Sequence, residues 1–190
     1  MPGMTDQNRP EMSGGEFDFI DRFFRPLAGE GALALGDDAA LIDLAEDREL
    51  ILSTDTLVEA VHFLPYDPAG TVSRKLLRVS LSDCAAMGAR PRGYLMNISR
   101  PAAFDDQWFA SFSAGLVQDP AIFDVHLLGG TTTSTRGPLV LSLPILGEVP
   151  RGKAVRRRGA RPGDALWVTG TIGDAPLGLP ALLGDLESLE

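Results

Sequence analysis

TVSRKLLRVSLSDCAAM, residues 71–87, reads as a helix with one chemically awkward position. Pro68 and Gly70 precede it and Gly88 follows it, as helix punctuation expects. Val72, Leu76 and Val79 share one face, and Asp83 falls on that face about three turns beyond Val72. A carboxylate that ends an apolar stripe is either an ordinary solvated helix end or has a partner.

The flanking segments decide what this helix packs against. Residues 50–58, 93–99, 125–128 and 139–149 read as strands, and 105–117 as a second helix. The third strand is expected to end at Gly129-Gly130. Pro144 cannot donate to a ladder, so the fourth strand is expected at a sheet edge or bulged there. Upstream, Phe17, Ile20, Phe23 and Phe24 recur at helical spacing over 16–25, and Pro26 with Gly29 and Gly31 stops that helix. Residues 33–35 and 39–44 are short strand candidates; 165–169 is another, with helix from 175 onward. Strands and helices alternate with strand–strand steps, which indicates an α+β (mixed α/β) domain. The expected organisation is a disordered tail over 1–14, a main domain over 15–150, and a linker with the start of an incomplete second domain over 151–190.

The composition bounds the function. The chain of 190 residues is 44% apolar and 23% charged, as for a soluble globular protein. The lone Cys84 excludes a disulfide framework and a cysteine zinc site, and fits a reducing cytoplasm. No apolar run approaches a membrane span, and the polar start is no secretion signal. A net charge of −9 argues against nonspecific nucleic-acid binding. Six basic residues lie in RGKAVRRRGAR (151–161), which leaves the rest at −15. Such a surface repels phosphorylated ligands unless cations mediate; the basic run itself reads mostly as a solvated face, with one or two side chains free to touch a phosphate.

Three acidic and hydroxyl groups stand beside apolar segments: Gly36-Asp37-Asp38, Ser53-Thr54-Asp55 and Leu81-Ser82-Asp83. Carboxylates brought together without bases point to a hard cation, most simply Mg2+, which usually binds a substrate phosphate as well. Along a strand Ser53 and Asp55 share a face and Thr54 takes the other, so Thr54 would reach the same ion through its carbonyl or at a strand end. Asp37 and Asp38 are adjacent, so one of them faces the site.

Other signals are weaker. GEVPRGKA (147–154) nearly spells a phosphate-binding P-loop after a strand. Ala154 replaces the metal-binding Ser/Thr, and Pro150 removes a backbone donor. The Gly129-Gly130 pair before Thr131 could admit a phosphate, although a tight turn is the commoner reason for such a pair. His62 follows the Asp55 strand and by itself reads as a packed or surface residue.

Together, GEFDFI (15–20), LGDDAAL (35–41), STDTLVEAVHF (53–63), KLLRVSLSDCAAMGARP (75–91), LLGG (127–130), LGEVPRGKAVRRRGARPGD (146–164) and VTGTIGDAPLGL (168–179) resemble the N-terminal half of thiamine-monophosphate kinases, within the aminoimidazole-ribonucleotide-synthase-like superfamily. The resemblance implies ATP-dependent phosphorylation of thiamine monophosphate to thiamine diphosphate, Mg2+-assisted, with a homodimer formed through the N-terminal domain. By motif, Asp38, Ser53, Thr54, Asp55 and Asp83 would be metal ligands. His62 would contact the thiamine phosphate; Gly130, Thr131 and Arg157 would contact ATP. Two departures follow. The family carries Gly-Gly-Asp where this chain has Gly129-Gly130-Thr131, which removes one charge from the metal site. The family's second half, with further Ser-Asp-Gly and Gly-Gly-Glu-Asp motifs, has no counterpart in these residues. The rival readings are a nucleotide-binding and dimerising module without turnover, and a superfamily enzyme with a different acceptor.

Overall fold

Alternate apolar side chains of two segments, Tyr94, Met96 and Ile98 in one and Leu139, Leu141, Leu143 and Ile145 in the other, meet the apolar stripes of two helices. The computed structural model describes residues 15–183. The expected disordered tail, 1–14, lies outside them. The chain divides into two compact units, Met1–Arg156 and Arg157–Glu190.

In the first unit, α1 (Glu16–Phe23) leads through a 3-10 turn (Arg25–Leu27) and a second short turn (Leu33–Leu35) to β1 (Arg48–Val58). Then come α2 (Ala69–Ala86), β2 (Arg90–Pro101), α3 (Asp106–Leu116), the short α4 (Gln118–Phe123), β3 (His126–Thr135) and β4 (Val140–Pro150). The sheet order is β1-β4-β2-β3. β4 runs antiparallel to β1 and β2, and β2 parallel to β3.

Odd-numbered residues of β4, Leu141, Leu143 and Ile145, are fully buried with Leu76 and Leu77 of α2 and Phe109, Phe112 and Leu116 of α3. Tyr94, Met96 and Ile98 of β2 complete the same layer. Phe19 and Phe23 of α1 join it through edge contacts, Phe19 lying 4.9 Å from Phe109. Phe17 is left exposed, so α1 buries a narrower face than its four apolar positions predict.

Several sequence expectations are corrected. β4 is central, not an edge. Pro144 is tolerated because the β2–β4 ladder lapses opposite it: Tyr94 pairs with Ile145 and Asn97 with Ser142, with no paired residues between. Residues 33–35 form a turn with φ of 51°, 54° and 56°, a left-handed run that no strand can contain. Residues 39–44 are irregular. β3 runs through Gly129-Gly130 to Thr135 rather than ending there. A Cβ at Gly130 would collide with the Met96 carbonyl oxygen, so this glycine serves the close approach of β2.

In the second unit the described residues form one helix, α5 (Asp174–Leu183). The strand expected over 165–169 is absent; Leu166 and Trp167 are 95% and 91% exposed, so the segment meets no pairing partner within its unit.

Candidate metal and phosphate site

β1 and α2 build the site between them. β1 presents Ser53, Asp55 and Leu57 toward α2, because odd positions face the helices and the register with β4 fixes that phase. Ser53 Oγ donates to Asp83 Oδ2 at 2.5 Å. Ser80 Oγ donates to Asp55 Oδ2 at 3.0 Å, with the Leu143 carbonyl at 3.3 Å as a second acceptor. Each carboxylate is therefore held by a hydroxyl from the facing element. Asp83 does have the partner its place on the stripe demands. Cys84, next in sequence, is buried, and burial pushes its thiol up from the ordinary range, with the Asp83 carboxylate adding to the effect. It is a packing residue, not a thiolate ligand.

β1 ends in a tightly bonded turn. Val58 N–H donates to His62 Nδ1 at 3.1 Å, and the His62 amide returns a bond to the Val58 carbonyl at 2.8 Å. Lys75 of α2 donates to the His62 carbonyl oxygen. Glu59 accepts the Leu139 amide at 3.0 Å, and Ala60 sits at φ 61° inside the turn. Because Nδ1 accepts a hydrogen bond, the ring proton is on Nε2, which leaves an outward donor at an exposed side chain.

The other candidates lie elsewhere. Thr131 pairs with Asn97, Asn97 with Ser142, and Ser142 with Thr56, to which it is bonded at 2.8 Å. That row occupies the sheet face opposite Asp55. Thr54 points to the same opposite face, so only its backbone remains available on the Asp83 side. Asp37 and Asp38 line a cavity of about 610 Å³ with Gly130, Thr131, Asn97 and Phe24. Arg157 is exposed and opens the second unit. Among the described residues no three His, Cys, Asp or Glu side chains come together as a metal cluster. The structure thus pairs Ser53 with Asp83 and Asp55 with Ser80 across the same strand–helix contact, and groups Asp38 with Gly130 and Thr131.

The P-loop resemblance fails in three dimensions. Gly152 N–H donates to Glu49 Oε2 at 2.9 Å and Lys153 N–H to the Pro150 carbonyl at 2.9 Å, so these donors are already used. No helix follows before Asp174 among the described residues.

Residues 36–149 match the family described as AIR synthase related protein, N-terminal domain. The chain belongs to that family. Within it, the chain is 46% identical over 173 residues to the thiamine-monophosphate kinase of Caulobacter vibrioides, covering 90% of this chain and 49% of that protein. The solved thiamine-monophosphate kinase of Stenotrophomonas maltophilia superposes with a TM-score of 0.78 at 41% identity, over 91% of this chain and 55% of that one. AaThiL, solved in complex with AMPPCP and TMP, superposes with a TM-score of 0.69 at 32% identity, over 93% of this chain and 55% of its own. The chain spans about half the length of the curated relatives it matches. Its four-stranded mixed α/β unit is the fold shared with these AIR-synthase-related proteins.

Ser80 and Lys75 are the side chains bonded into this candidate site that sequence reasoning missed. Ser80 carried a readable signal: a hydroxyl three residues before Asp83, on its own side of the helix. Lys75 carried none, since its link to His62 depends on how the turn after β1 folds back.

Proposed function

We propose that this chain takes part in the ATP-dependent phosphorylation of thiamine monophosphate to thiamine diphosphate, as a metal- and nucleotide-binding portion of a thiamine-monophosphate kinase. The observation that carries this reading is the reciprocal pairing of Ser53 with Asp83 and Ser80 with Asp55 across β1 and α2. Two carboxylates and a hydroxyl are hard oxygen donors, and Mg2+ typically takes one or two carboxylates together with substrate phosphates. That donor set fits the ion, and Asp55, Asp83 and Ser53 would hold it. When bound, Mg2+ supplies charge neutralisation between two repelling phosphate groups.

The remaining roles follow from the chain's own residues. His62 donates from Nε2 to the acceptor phosphate, in an orientation fixed by the Val58 amide. Asp38, Gly130 and Thr131 line the cavity that would take the nucleotide side; Arg157 is kept as an ATP contact on the family resemblance alone. Direct transfer needs positioning and charge stabilisation and no side-chain nucleophile, so none is assigned. AaThiL with AMPPCP, an ATP analogue, and TMP, read as thiamine monophosphate, supports this choice of substrates. We extend the reading to a homodimer through the free face of β1, where Leu50 and Leu52 are exposed, and to a cytoplasmic location. No described helix is long and apolar enough to cross a membrane.

A second reading, a nucleotide-binding module without turnover, is favoured by Thr131, a neutral side chain where the family resemblance calls for a carboxylate. Calorimetry with AMPPCP, with and without Mg2+, tests what the two readings share: binding should require Mg2+. Metal-independent or absent binding would remove both. Formation of thiamine diphosphate from ATP and thiamine monophosphate, followed by chromatography, then separates the kinase from the module.

A further inference from the structure

We propose that Ser80 is a positioning residue for Asp55, and through it for the divalent cation that the acidic pair would hold; this rests on the metal-binding reading of Ser53, Asp55 and Asp83. α2 carries two fully buried serines on one face, Ser73 and Ser80, two turns apart. Their surroundings explain the first and not the second. Ser73 donates to the Gly70 carbonyl of its own helix at 3.1 Å. It also sits where α3 comes closest, for a Cβ on Gly115 would strike Ser73 Oγ. A small residue is required there, and its hydroxyl is satisfied locally.

Ser80 lies among Leu76, Leu77, Leu81 and Cys84, where a hydroxyl is a cost unless it does something an alanine cannot. It reaches out of its helix to Asp55 Oδ2 at 3.0 Å, with the Leu143 carbonyl at 3.3 Å. A hydroxyl has one proton to give, and the carboxylate is the stronger acceptor. Holding Oδ2 fixes the Asp55 rotamer and leaves Oδ1 as the free oxygen. Ser53 does the same for Asp83 from the opposite direction. The two carboxylates are thereby oriented by two hydroxyls, one from each side of the strand–helix contact. Groups that orient metal ligands change metal affinity by about 10- to 100-fold when removed.

The test uses the 190-residue chain and Mn2+ alone as the probe, with free Mn2+ counted by electron paramagnetic resonance. Ser80→Ala should weaken Mn2+ binding about tenfold. Ser73→Ala, which also removes a buried hydroxyl from α2, should leave it unchanged. Ser80→Cys fills the same space with a weak donor and should bind as poorly as the alanine variant; it also serves if Ser80→Ala does not fold. Full affinity in Ser80→Ala overturns the inference, as does full recovery in Ser80→Cys, which would make the effect one of packing. Equal losses from Ser73→Ala and Ser80→Ala would overturn it too. A wild-type chain that binds no Mn2+ removes the metal reading, and the inference with it.

Discussion

On one face of β1, Ser53 and Asp55 look toward α2; on the other, Leu50 and Leu52 stand 41% and 67% exposed. A strand with one packed face usually turns its apolar residues inward and its polar ones to water. The middle of β1 does the reverse, while Leu57 near its end is buried in the ordinary way. Polar groups on a packed face persist where each has a partner, and here the Asp83 carboxylate and the Ser80 hydroxyl of α2 supply them. Leu50 and Leu52 on the free strand face have no such internal partner, and on the proposed function a second copy would cover them. On the proposed function the two faces would carry two tasks: metal binding between β1 and α2, and association on the far side of β1, the sheet face that also bears the Thr131 row.

The largest effect should come from the layer that both tasks rely on. Leu76→Ala, at a fully buried position of α2, is expected to cost about 2–5 kcal/mol in urea unfolding. Leu52→Ala on the free face should stay within about 0.5 kcal/mol when the monomer is measured. Equal costs would mean that the two faces of the strand do not differ as described. Next in size is Leu52→Lys. If the free face joins two copies, the substitution buries a charge twice about the symmetry axis, and the dimer dissociation constant should rise about a hundredfold. Sedimentation measures this directly, and a variant that stays dimeric would move the interface elsewhere. Asp83→Asn keeps shape and removes charge. It should weaken Mg2+-dependent AMPPCP binding about tenfold while leaving the dimer intact, because the charge count of the ligands sets affinity. A variant that lost both together would join the two tasks that the faces keep apart.

Thr131→Asp is a smaller and more pointed change. The register puts Thr131 in a row with Asn97, Ser142 and Thr56, on the face away from Asp55. Yet Thr131 shares a cavity with Asp38. An added carboxylate there should raise affinity for Mg2+ with nucleotide about threefold, the scale of one partly exposed charge pair. A loss of affinity on calorimetry would mean that Thr131 faces the nucleotide phosphates without an intervening cation.

Local rules made much of this arrangement readable. Period-3.6 spacing marked α2 and put Asp83 on its apolar face, and period-2 alternation put Ser53 and Asp55 on one face of β1; that these two faces meet is seen only in the fold. What remained illegible depended on neighbours. Pro144 on its own reads as marking an edge strand or a bulge, but a two-residue lapse in the β2–β4 ladder lets it sit in a central strand. Leu33-Ala34-Leu35 has strand-like residues, yet it takes three left-handed conformations that only the surrounding path explains. Gly129-Gly130 resembles a strand end because nothing in the sequence shows how near Met96 lies. For the same reason Asp38 could not be assigned from spacing, since the irregular 36–44 path delivers it to the Thr131 cavity and not to Asp83.

The smallest effect predicted is none at all, and it sharpens the contrast between a site and a sequence that merely resembles one. GEVPRGKA carries a glycine and a lysine at P-loop spacing just past a strand. A phosphate cradle requires free backbone donors converging at a helix start. In this turn the Gly152 amide is taken by the Glu49 carboxylate, the Lys153 amide by the Pro150 carbonyl, and the Arg151 amide by the Asp47 carbonyl at 2.8 Å. Arg151 also donates its guanidinium to the Glu46 and Arg48 carbonyls, at 3.1 and 3.2 Å. Those bonds bind the end of β4 to the start of β1, a structural task that leaves no concave set of donors. Lys153→Ala should therefore leave AMPPCP affinity unchanged by calorimetry, whereas Asp83→Asn on the same titration lowers it. If the lysine variant lost binding and the aspartate variant did not, the nucleotide site would lie at the end of β4, and the acidic pairing between β1 and α2 would be packing alone.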